Sequence, residues 1–547
     1  MYHDKNYIRL TIMILMENYR EKITVLTIVT LFFILYSTYS LLRYFSLNAG
    51  AYDLGIYSSA LFNTLHGRLF YTNLLNEGFL SNHFSPFMFI LVGVYYVYPE
   101  TYILLILQSF FIAYSGYILY LIYRLYVKTD RIKFEFIIPI LLYELSPIGY
   151  APLAFDFHLM ALLPFFYFVA FYYFLKDNKL MEIISLIFLV SLHSFFVVIV
   201  IFFMFSNMLL KYYNKDILKN YRNINYRKMF RIFSVFILLS IILLSYFLFA
   251  SFMRNALIGK YVLILPSDEI SNGSFNSLSL TGYIYELLNP AILIHGVLSN
   301  LNLKLELLYI TLYSSGFMVL LSPITLIPVI PYIIFAVPSN YDAYVQIGYE
   351  YTALMAPMVF ISMVTGIKKL NAINTKNWRH KFLNKYARYL VLIIVLIFLV
   401  DIGLSPLIPD NYYHNPGIEA NIDDFHINKT SKLIFLLSHK LNNNSTLITQ
   451  NNVYPAFSNF TNAYELGTFG KFKNNNYTNI TCGYIISDNA STWYNITTMY
   501  GFSMKQFINM NLKANYGLYL NEDNITVLKY HYNGSLYKMN GNNLIKS

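Results

Sequence analysis

The feature that most constrains this chain is a series of long apolar runs that recurs through its first 404 residues. A helix needs about 20 apolar residues to cross a bilayer, and runs of roughly that length are rare in soluble proteins. Two runs are too long for one span and are divided: 181–210 at 192–194, and 305–337 at 322–323, where proline breaks the helical hydrogen-bond ladder. The eleven resulting segments lie near 23–42, 101–124, 134–150, 157–175, 181–193, 194–210, 232–252, 305–321, 324–337, 351–366 and 389–404. We therefore expect an all-α polytopic membrane bundle of about eleven transmembrane helices.

Charge placement and glycosylation motifs predict the orientation of this bundle. Seven basic residues against one acidic residue lie in 211–231, and seven against none lie in 368–388, as in cytoplasmic loops. Eleven N-x-[ST] motifs occur, ten of them between Asn428 and Asn533, and such motifs are glycosylated on the outer side. Both patterns place the N-terminus in the cytoplasm and 405–547 outside a cell membrane crossed several times.

Residues 405–547 differ in kind from the membrane domain of 1–404. They are polar and rich in Asn, with a helical pattern at 430–441, strand-like runs at 446–450 and 483–487, and a hairpin pattern at 516–530 that turns at 521–523. Alternating helix and strand predict an extracytoplasmic soluble α/β domain. It contains no known catalytic motif, which favours a lid or interaction role over a second catalytic domain.

Composition excludes several function classes. The single cysteine, Cys482, excludes an intramolecular disulfide and a cysteine-based metal site. The net charge of +11 comes from short basic runs between apolar segments, so no nucleic-acid partner is predicted. There is no D-x-D motif and no tight His/carboxylate spacing, so neither a metal nor another cofactor is predicted.

The outer loop 43–100 carries the most informative polar residues. Apolar residues at 54, 57, 61, 62 and 65 fit an interfacial amphipathic helix, and Asp53 comes just before them. Asp53 is therefore either a helix cap, which accepts the first free amides, or a catalytic carboxylate.

Several motifs resemble those of a family of predicted microbial membrane proteins, many of them archaeal, that has no assigned function. The motifs are Y-D-L-G-I-Y at 52–57, L-F-N-T-L-H-G-R at 61–68, H-F-S-P at 83–86, D-F-H at 156–158, S-P-I-T-L-I-P-V-I-P at 322–331 and Y-E-Y-T-A-L-M-A-P at 349–357. The layout is also distantly similar to membrane glycosyltransferases of the C-type superfamily. That resemblance implies that Asp53 is the catalytic base and that the partners are membrane lipid and a polyprenyl-phosphate-linked sugar donor.

Such a reaction needs cationic or hydrogen-bonding groups around the leaving phosphate. We expect the substrate-binding residues to be His83, Arg68, Asp156, His158, Arg254 and Glu350. Some basic residues have a structural alternative: Arg254 and Lys260 lie at a span end, where their long side chains can extend to the membrane interface. Glu350 stands where relatives of the suspected family have His. His193 lies deep in an apolar run, where an ionisable group needs a cavity or a partner.

The sequence predicts a membrane glycosyltransferase that moves a sugar to an unidentified acceptor at the outer face. The alternative is a transporter or lipid flippase, which proline-broken spans near 323–331 favour. A protein whose bundle only anchors the C-terminal domain is a third reading, and one span would be enough for that role.

Overall fold

The fold is taken from a computed structural model of the chain. It describes residues 2–75, 77–127, 135–216, 226–258, 287–372, 396, 405, 407, 425–469, 483–497, 503–513, 515–540 and 543–546. The described part is mostly helical up to residue 372 and contains a β-sheet after residue 446.

Fifteen α-helices lie within the described residues up to 372. They are α1 (Tyr2–Phe45), α2 (Ile56–Leu65), α3 (Phe79–Asn82), α4 (Met88–Val97), α5 (Ile103–Tyr126), α6 (Ile138–Glu144), α7 (Pro147–Tyr150), α8 (Leu163–Leu175), α9 (Lys179–Leu192), α10 (Phe196–Asp216), α11 (Tyr226–Ile258), α12 (Pro290–Leu298), α13 (Leu301–Ser314), α14 (Ile330–Ala336) and α15 (Ala356–Ala372). Short 3-10 turns connect several of them, and a two-stranded ribbon, β1 (Tyr71–Thr72) with β2 (Glu77–Gly78), lies between α2 and α3.

Among these described residues, three helices are long and apolar enough to cross a membrane: Tyr19–Phe45 in α1, Ile103–Tyr126 and Phe233–Arg254 in α11. Two bent pairs raise the number to five if each pair forms one span: 135–144 with 147–153, bent by 56°, and α12 with α13, bent by 68°. The prediction of about eleven spans is therefore wrong. The last predicted run, 389–404, lies outside the described residues apart from Leu396.

The error has a physical cause. A helix buried inside a protein is as apolar as one that faces lipid, so composition does not separate the two. The run near 157–175 becomes a 3-10 turn followed by α8, whose 13 residues reach only about 20 Å at 1.5 Å per residue. The run near 324–337 is a 3-10 turn, Pro323–Val329, followed by the seven-residue α14.

The helices form one core around α5. It packs along α1 and α8, and α8 packs along α9. Tyr36 of α1 donates a hydrogen bond to the carbonyl of Glu144 at 2.6 Å, which ties α1 to the end of α6. In contrast, only 6% of the apolar stretch Phe233–Arg254 is buried, so α11 presents its side chains outward, as a helix in lipid does.

The C-terminal region contains a seven-stranded mixed sheet. Its strands are β3 (Leu447–Thr449), β4 (Ala463–Glu465), β5 (Tyr484–Asp488), β6 (Tyr516–Glu522), β7 (Ile525–Tyr530), β8 (Tyr537–Asn540) and β9 (Asn543–Lys546), in the order β4-β3-β5-β7-β6-β8-β9. β3 pairs in parallel with β4 and β5, whereas β5, β7 and β6 are antiparallel. In the described part of this region, four helices accompany the sheet: α16 (Lys429–Lys440), α17 (Tyr454–Phe457), α18 (Leu466–Phe469) and α19 (Met504–Leu512).

The predicted hairpin and both predicted strand runs coincide with observed strands. β6 and β7 form the hairpin, and β3 and β5 lie in the two strand-like runs. The turn comes slightly later than predicted, at Asp523 and Asn524, whose φ angles are 48° and 64°. Asp and Asn tolerate this left-handed conformation, which tight hairpin turns require.

The C-terminal region packs against the loop 43–100. Thr101 and Ser458 share a hydrogen bond of 2.8 Å, and Asn73 donates one to the carbonyl of Thr461 at 2.9 Å. The hydroxyl of Tyr95 donates to Asn459. These contacts hold the sheet beside the segment that carries Asp53.

Candidate active site

Asp53 lies in a strained turn between α1 and α2. Residues 51–55 form a kinked turn, in which Tyr52 (φ −69°, ψ 142°) and Asp53 (φ 65°, ψ −88°) depart from helical geometry. A non-glycine residue rarely adopts the conformation of Asp53, and it persists only where surrounding contacts enforce it. Gly55 has helical φ and ψ angles (−65° and −39°), so Asp53 is the last non-helical residue before α2, and its carbonyl accepts from the amide of Ile56. The helix-cap interpretation of Asp53 therefore stays open beside the catalytic one.

Two distant side chains enforce the turn. The backbone amide of Gly50 donates to Oδ2 of Asp156 at 2.6 Å, and that of Ala51 donates to Oδ1 of Asn451 at 2.7 Å. Arg43 lies 3.7 Å from Oδ1 of Asp156 and donates to the carbonyl of Ala154 at 2.7 Å. Asp156 is thus buried behind the turn, where it holds the backbone.

The carboxyl of Asp156 is less acidic than usual. Burial raises its pKa to about 6, although Arg43 and the amide of Gly50 oppose the rise. Both of its oxygens face the protein: Oδ2 accepts from the amide of Gly50, and Oδ1 lies 3.7 Å from Arg43.

His158 faces the carboxylate of Asp53. Its Nε2 lies 4.0 Å from Oδ1 of Asp53, whose side chain is 27% exposed against 6% for His158. Nδ1 of His158 accepts from the amide of Met160 at 3.1 Å, so the proton of the neutral ring is on Nε2. Burial is the main cause that lowers the pKa of His158 to about 3, and His83 is the second. The ring is therefore neutral at pH 7, and its 4.0 Å separation from Asp53 exceeds hydrogen-bond distance.

Two further histidines continue from His158. Nδ1 of His193 accepts from the amide of Phe195 at 3.1 Å, which leaves its Nε2 as the donor toward Nδ1 of His83 at 3.3 Å. The rings of His83 and His158 are 6.4 Å apart between centroids. Burial and Arg254 lower the pKa of His83 to about 4, so this ring is also neutral at pH 7.

Arg254 and Glu350 border this group. Arg254 is 4% exposed, its Nε donates to the carbonyl of Ser81 at 3.4 Å, and its charge acts on both His83 and His193. Glu350 is equally buried, and it acts together with Asp53 to raise the pKa of Tyr57, for which burial is the main cause. The ring of Tyr57 packs edge-on against His158.

The structure thus brings together Asp53, His83, His158, Arg254 and Glu350, which lie far apart in the sequence. Arg68 lies elsewhere, at the far end of α2 about 15 Å along that helix, where it donates to the carbonyl of Thr461 and stacks over Tyr71. Lys260 is outside the described residues. Within the described residues, no group of three or more His, Cys, Asp or Glu is arranged to hold a metal ion.

Sequence reasoning missed several residues that build the site. Asn451 lies 398 positions after Asp53 in the sequence, and nothing in its spacing pointed to the Asp53 turn. Tyr57 is one of many apolar residues in the sequence of α2, so the sequence did not single it out. Eight consecutive residues of that helix are buried.

A comparison with known families agrees with the sequence resemblance. The family described as Predicted membrane protein (DUF2079) matches residues 43–527. The chain belongs to this family. The match includes the Asp53 turn, the three histidines, Arg254, Glu350 and Asn451, so the whole site lies within the matched residues. No curated protein matches the sequence. The family is one of membrane proteins, in agreement with the three membrane-capable helices.

Proposed function

We propose that this membrane protein is a glycosyltransferase that uses a polyprenyl-phosphate sugar as donor and Asp53 as general base. The observation that carries the proposal is the placement of Asp53: a partly exposed carboxylate in a strained turn, next to buried donors and a buried arginine. Strained backbone and buried ionisable groups concentrate at active sites, where preorganisation contributes to the rate.

The reaction follows from these groups. An acceptor hydroxyl attacks the anomeric carbon of the donor, a new C–O bond forms, and the bond from that carbon to the phosphate oxygen breaks. Asp53 takes the hydroxyl proton, and the polyprenyl phosphate leaves with the bonding electron pair. Arg254 and the N–H groups of His83 and His158 are the candidates to bind the leaving phosphate.

The proposal also assigns an orientation. The ten glycosylation motifs from Asn428 onward favour placement of the C-terminal region, and with it Asp53, at the outer face. The basic runs at 211–231 and 368–388 favour the cytoplasmic side for those segments and for the N-terminus.

The test uses purified protein in nanodiscs with a panel of radiolabelled polyprenyl-phosphate sugars. We expect sugar transfer or release by the wild type, and a loss of at least 100-fold in Asp53→Asn, because the amide cannot take up the proton. Asp523→Asn is the matched control, since Asp523 is exposed in the β6–β7 turn. Equal rates for Asp53→Asn and the wild type would contradict the role of Asp53.

A transporter or lipid flippase is the second candidate. The bent pair around Ser146-Pro147 places a buried Glu144 at a helix break, as in transporters that bind substrates at broken helices. A folded wild type that turns over no donor, but moves a fluorescent polyprenyl phosphate across a proteoliposome membrane, would favour this candidate.

A further inference from the structure

A pocket lies between the Asp53 turn and the C-terminal sheet. Its enclosed volume is about 110 Å³, below the roughly 300–1,000 Å³ of most small-molecule sites, and it continues into a part that is open to solvent. Tyr52, the residue before Asp53, forms one wall, and Glu465 and Trp493 belong to the opposite, C-terminal side.

The pocket combines aromatic faces with polar groups. Tyr52 is 43% exposed, and its hydroxyl donates to Oε2 of the buried Glu465 at 3.4 Å. Trp493 is half-buried, and Leu466, Ile496 and Met504 add apolar surface. Sugar rings have apolar C–H faces and a rim of hydroxyls, so aromatic walls beside a carboxylate and amides match them.

Two amides set the polar rim. Gln450 is fixed by Asp488, because its Nε2 donates to the carbonyl of that residue and its Oε1 accepts from the amide, both at 3.1 Å. Oδ1 of Asn451 is engaged by Ala51, so its Nδ2 is the side-chain donor that remains to face a ligand. Rigid walls of this kind favour specific binding because little order is lost on binding.

The charge of the lining argues against an anionic ligand. The lining residues include one acid, Glu465, and neither Lys nor Arg. His158 instead lies 4.0 Å from Asp53, and Arg254 acts on His83. Tyr52 and Asp53 are consecutive, yet Tyr52 contacts Glu465 whereas Asp53 faces His158. The pocket lining is therefore uncharged apart from Glu465, whereas Arg254 belongs to the neighbouring group that contains His83, His158 and Glu350.

We propose that this pocket binds the acceptor of the reaction as an uncharged sugar ring, with its hydroxyls on Glu465 and Asn451 and its apolar face on Tyr52 and Trp493. This inference rests on the proposed function, in which the phosphate of the donor occupies the Arg254 side. A hydroxyl of the ring then lies next to Asp53, ready for deprotonation.

The chain offers a direct optical probe of the pocket. It has two tryptophans, Trp378 and Trp493. In the Trp378→Phe protein, Trp493 is the only tryptophan, so its fluorescence reports on the pocket without any donor or turnover. The full chain in nanodiscs is titrated with methyl glycosides of glucose, galactose, mannose and N-acetylglucosamine, and with glucuronic acid and glucose 6-phosphate as anionic counterparts.

We expect a saturable fluorescence change with at least one neutral glycoside and at least tenfold weaker binding of the anionic sugars. Glu465→Gln is expected to raise Kd at least tenfold, because a charge-assisted hydrogen bond to a hydroxyl is lost. Gly467 also lines the pocket, and a Cβ there would lie 3.0 Å from Oε2 of Glu465, so Gly467→Val is a second variant expected to raise Kd at least tenfold. Asp523→Asn, in the exposed β6–β7 turn, is expected to leave Kd within twofold.

Three outcomes would overturn the inference: no saturable change with any neutral glycoside, tighter binding of the anionic sugars, or unaltered Kd in both folded pocket variants. The failure of the proposed function is a separate result. Saturable binding without transfer from any donor would contradict glycosyl transfer but retain the sugar pocket, whereas transfer without binding at Trp493 would contradict the pocket alone.

Discussion

The side-chain oxygen of Asn451 accepts a hydrogen bond from the backbone amide of Ala51 at 2.7 Å, across 400 residues of sequence. This bond joins the C-terminal region to the turn that holds Asp53 in its left-handed conformation. The C-terminal region therefore helps to hold the Asp53 turn in place. The lid or interaction role expected from its sequence did not include this contact.

Asn451→Ala removes this acceptor and is expected to loosen the turn. The buried amide of Ala51 loses its partner, which costs about 1–3 kcal/mol. We expect faster hydrogen exchange in the peptide that contains Ala51 and a melting temperature lower by several degrees in nanodiscs. The control is Asn444→Ala, because Asn444 is exposed in the same region. Unaltered exchange at Ala51 in the Asn451 variant would contradict this role.

Gly55→Ala is expected to destabilise the turn through a steric clash. A Cβ at Gly55 would lie 2.8 Å from Cδ1 of Tyr454, whose side chain is fully buried and cannot move away cheaply. Overpacking of this kind costs about 1–3 kcal/mol. The matched control is Gly93→Ala in α4, where a Cβ meets nothing within 4 Å. Thermal unfolding in nanodiscs should give a lower melting temperature for Gly55→Ala than for Gly93→Ala. Equal melting temperatures would show that the Tyr454 ring moves aside without a cost in stability.

Acid is expected to destabilise the protein through the buried histidines. Folding lowers the pKa of His83 from 6.5 to about 4 and that of His158 from 6.5 to about 3. On acidification, the unfolded chain therefore binds protons at pH values where the folded chain does not. The stabilising contribution of these histidines is complete above about pH 6.5 and is lost as the pH falls toward 4. The pKa of Asp156 is raised from 3.8 to about 6, and this shift acts in the opposite direction. The contribution of Asp156 to stability is lost as the pH rises through 6.

The two histidine shifts together exceed the Asp156 shift, so the net effect of lowering the pH from 7 to 5 is a loss of stability. We expect the melting temperature to fall by several degrees over this range, and by less in His158→Gln, which removes one titrating ring. A melting temperature that rises on acidification, or the same slope in both proteins, would show that these rings do not control the response.

Glycosylation should distinguish two motifs of the C-terminal region. Nδ2 of Asn459 donates to the carbonyl of Pro99 at 2.8 Å and its Oδ1 accepts from Tyr95, so the amide is not available for modification. Asn533 is exposed on the surface after β7. In a host with N-glycosylation, glycopeptide mass spectrometry should find sugar on Asn533 and none on Asn459. A C-terminal region that carries no sugar at any motif would contradict the proposed outer-face orientation.

The sequence by itself determined the features that depend on local pattern. The apolar runs identified a helical membrane protein, and the alternation at 516–530 identified the β6–β7 hairpin, because period and turn chemistry act over a few residues. Motif resemblance singled out Asp53 together with His83, His158 and Glu350. The tertiary structure places these four in one region, although the same reasoning also included Arg68, which lies apart.

Only the tertiary structure decided how many helices can cross a membrane and what surrounds Asp53. Burial inside the protein and exposure to lipid favour the same apolar residues, so the runs could not reveal that the described part of the chain has three to five candidate spans. The contacts from Ala51 to Asn451, from Gly50 to Asp156 and from His83 to His193 join residues 400, 106 and 110 positions apart. Such contacts depend on how complete elements pack, and no local pattern in the chain encodes them.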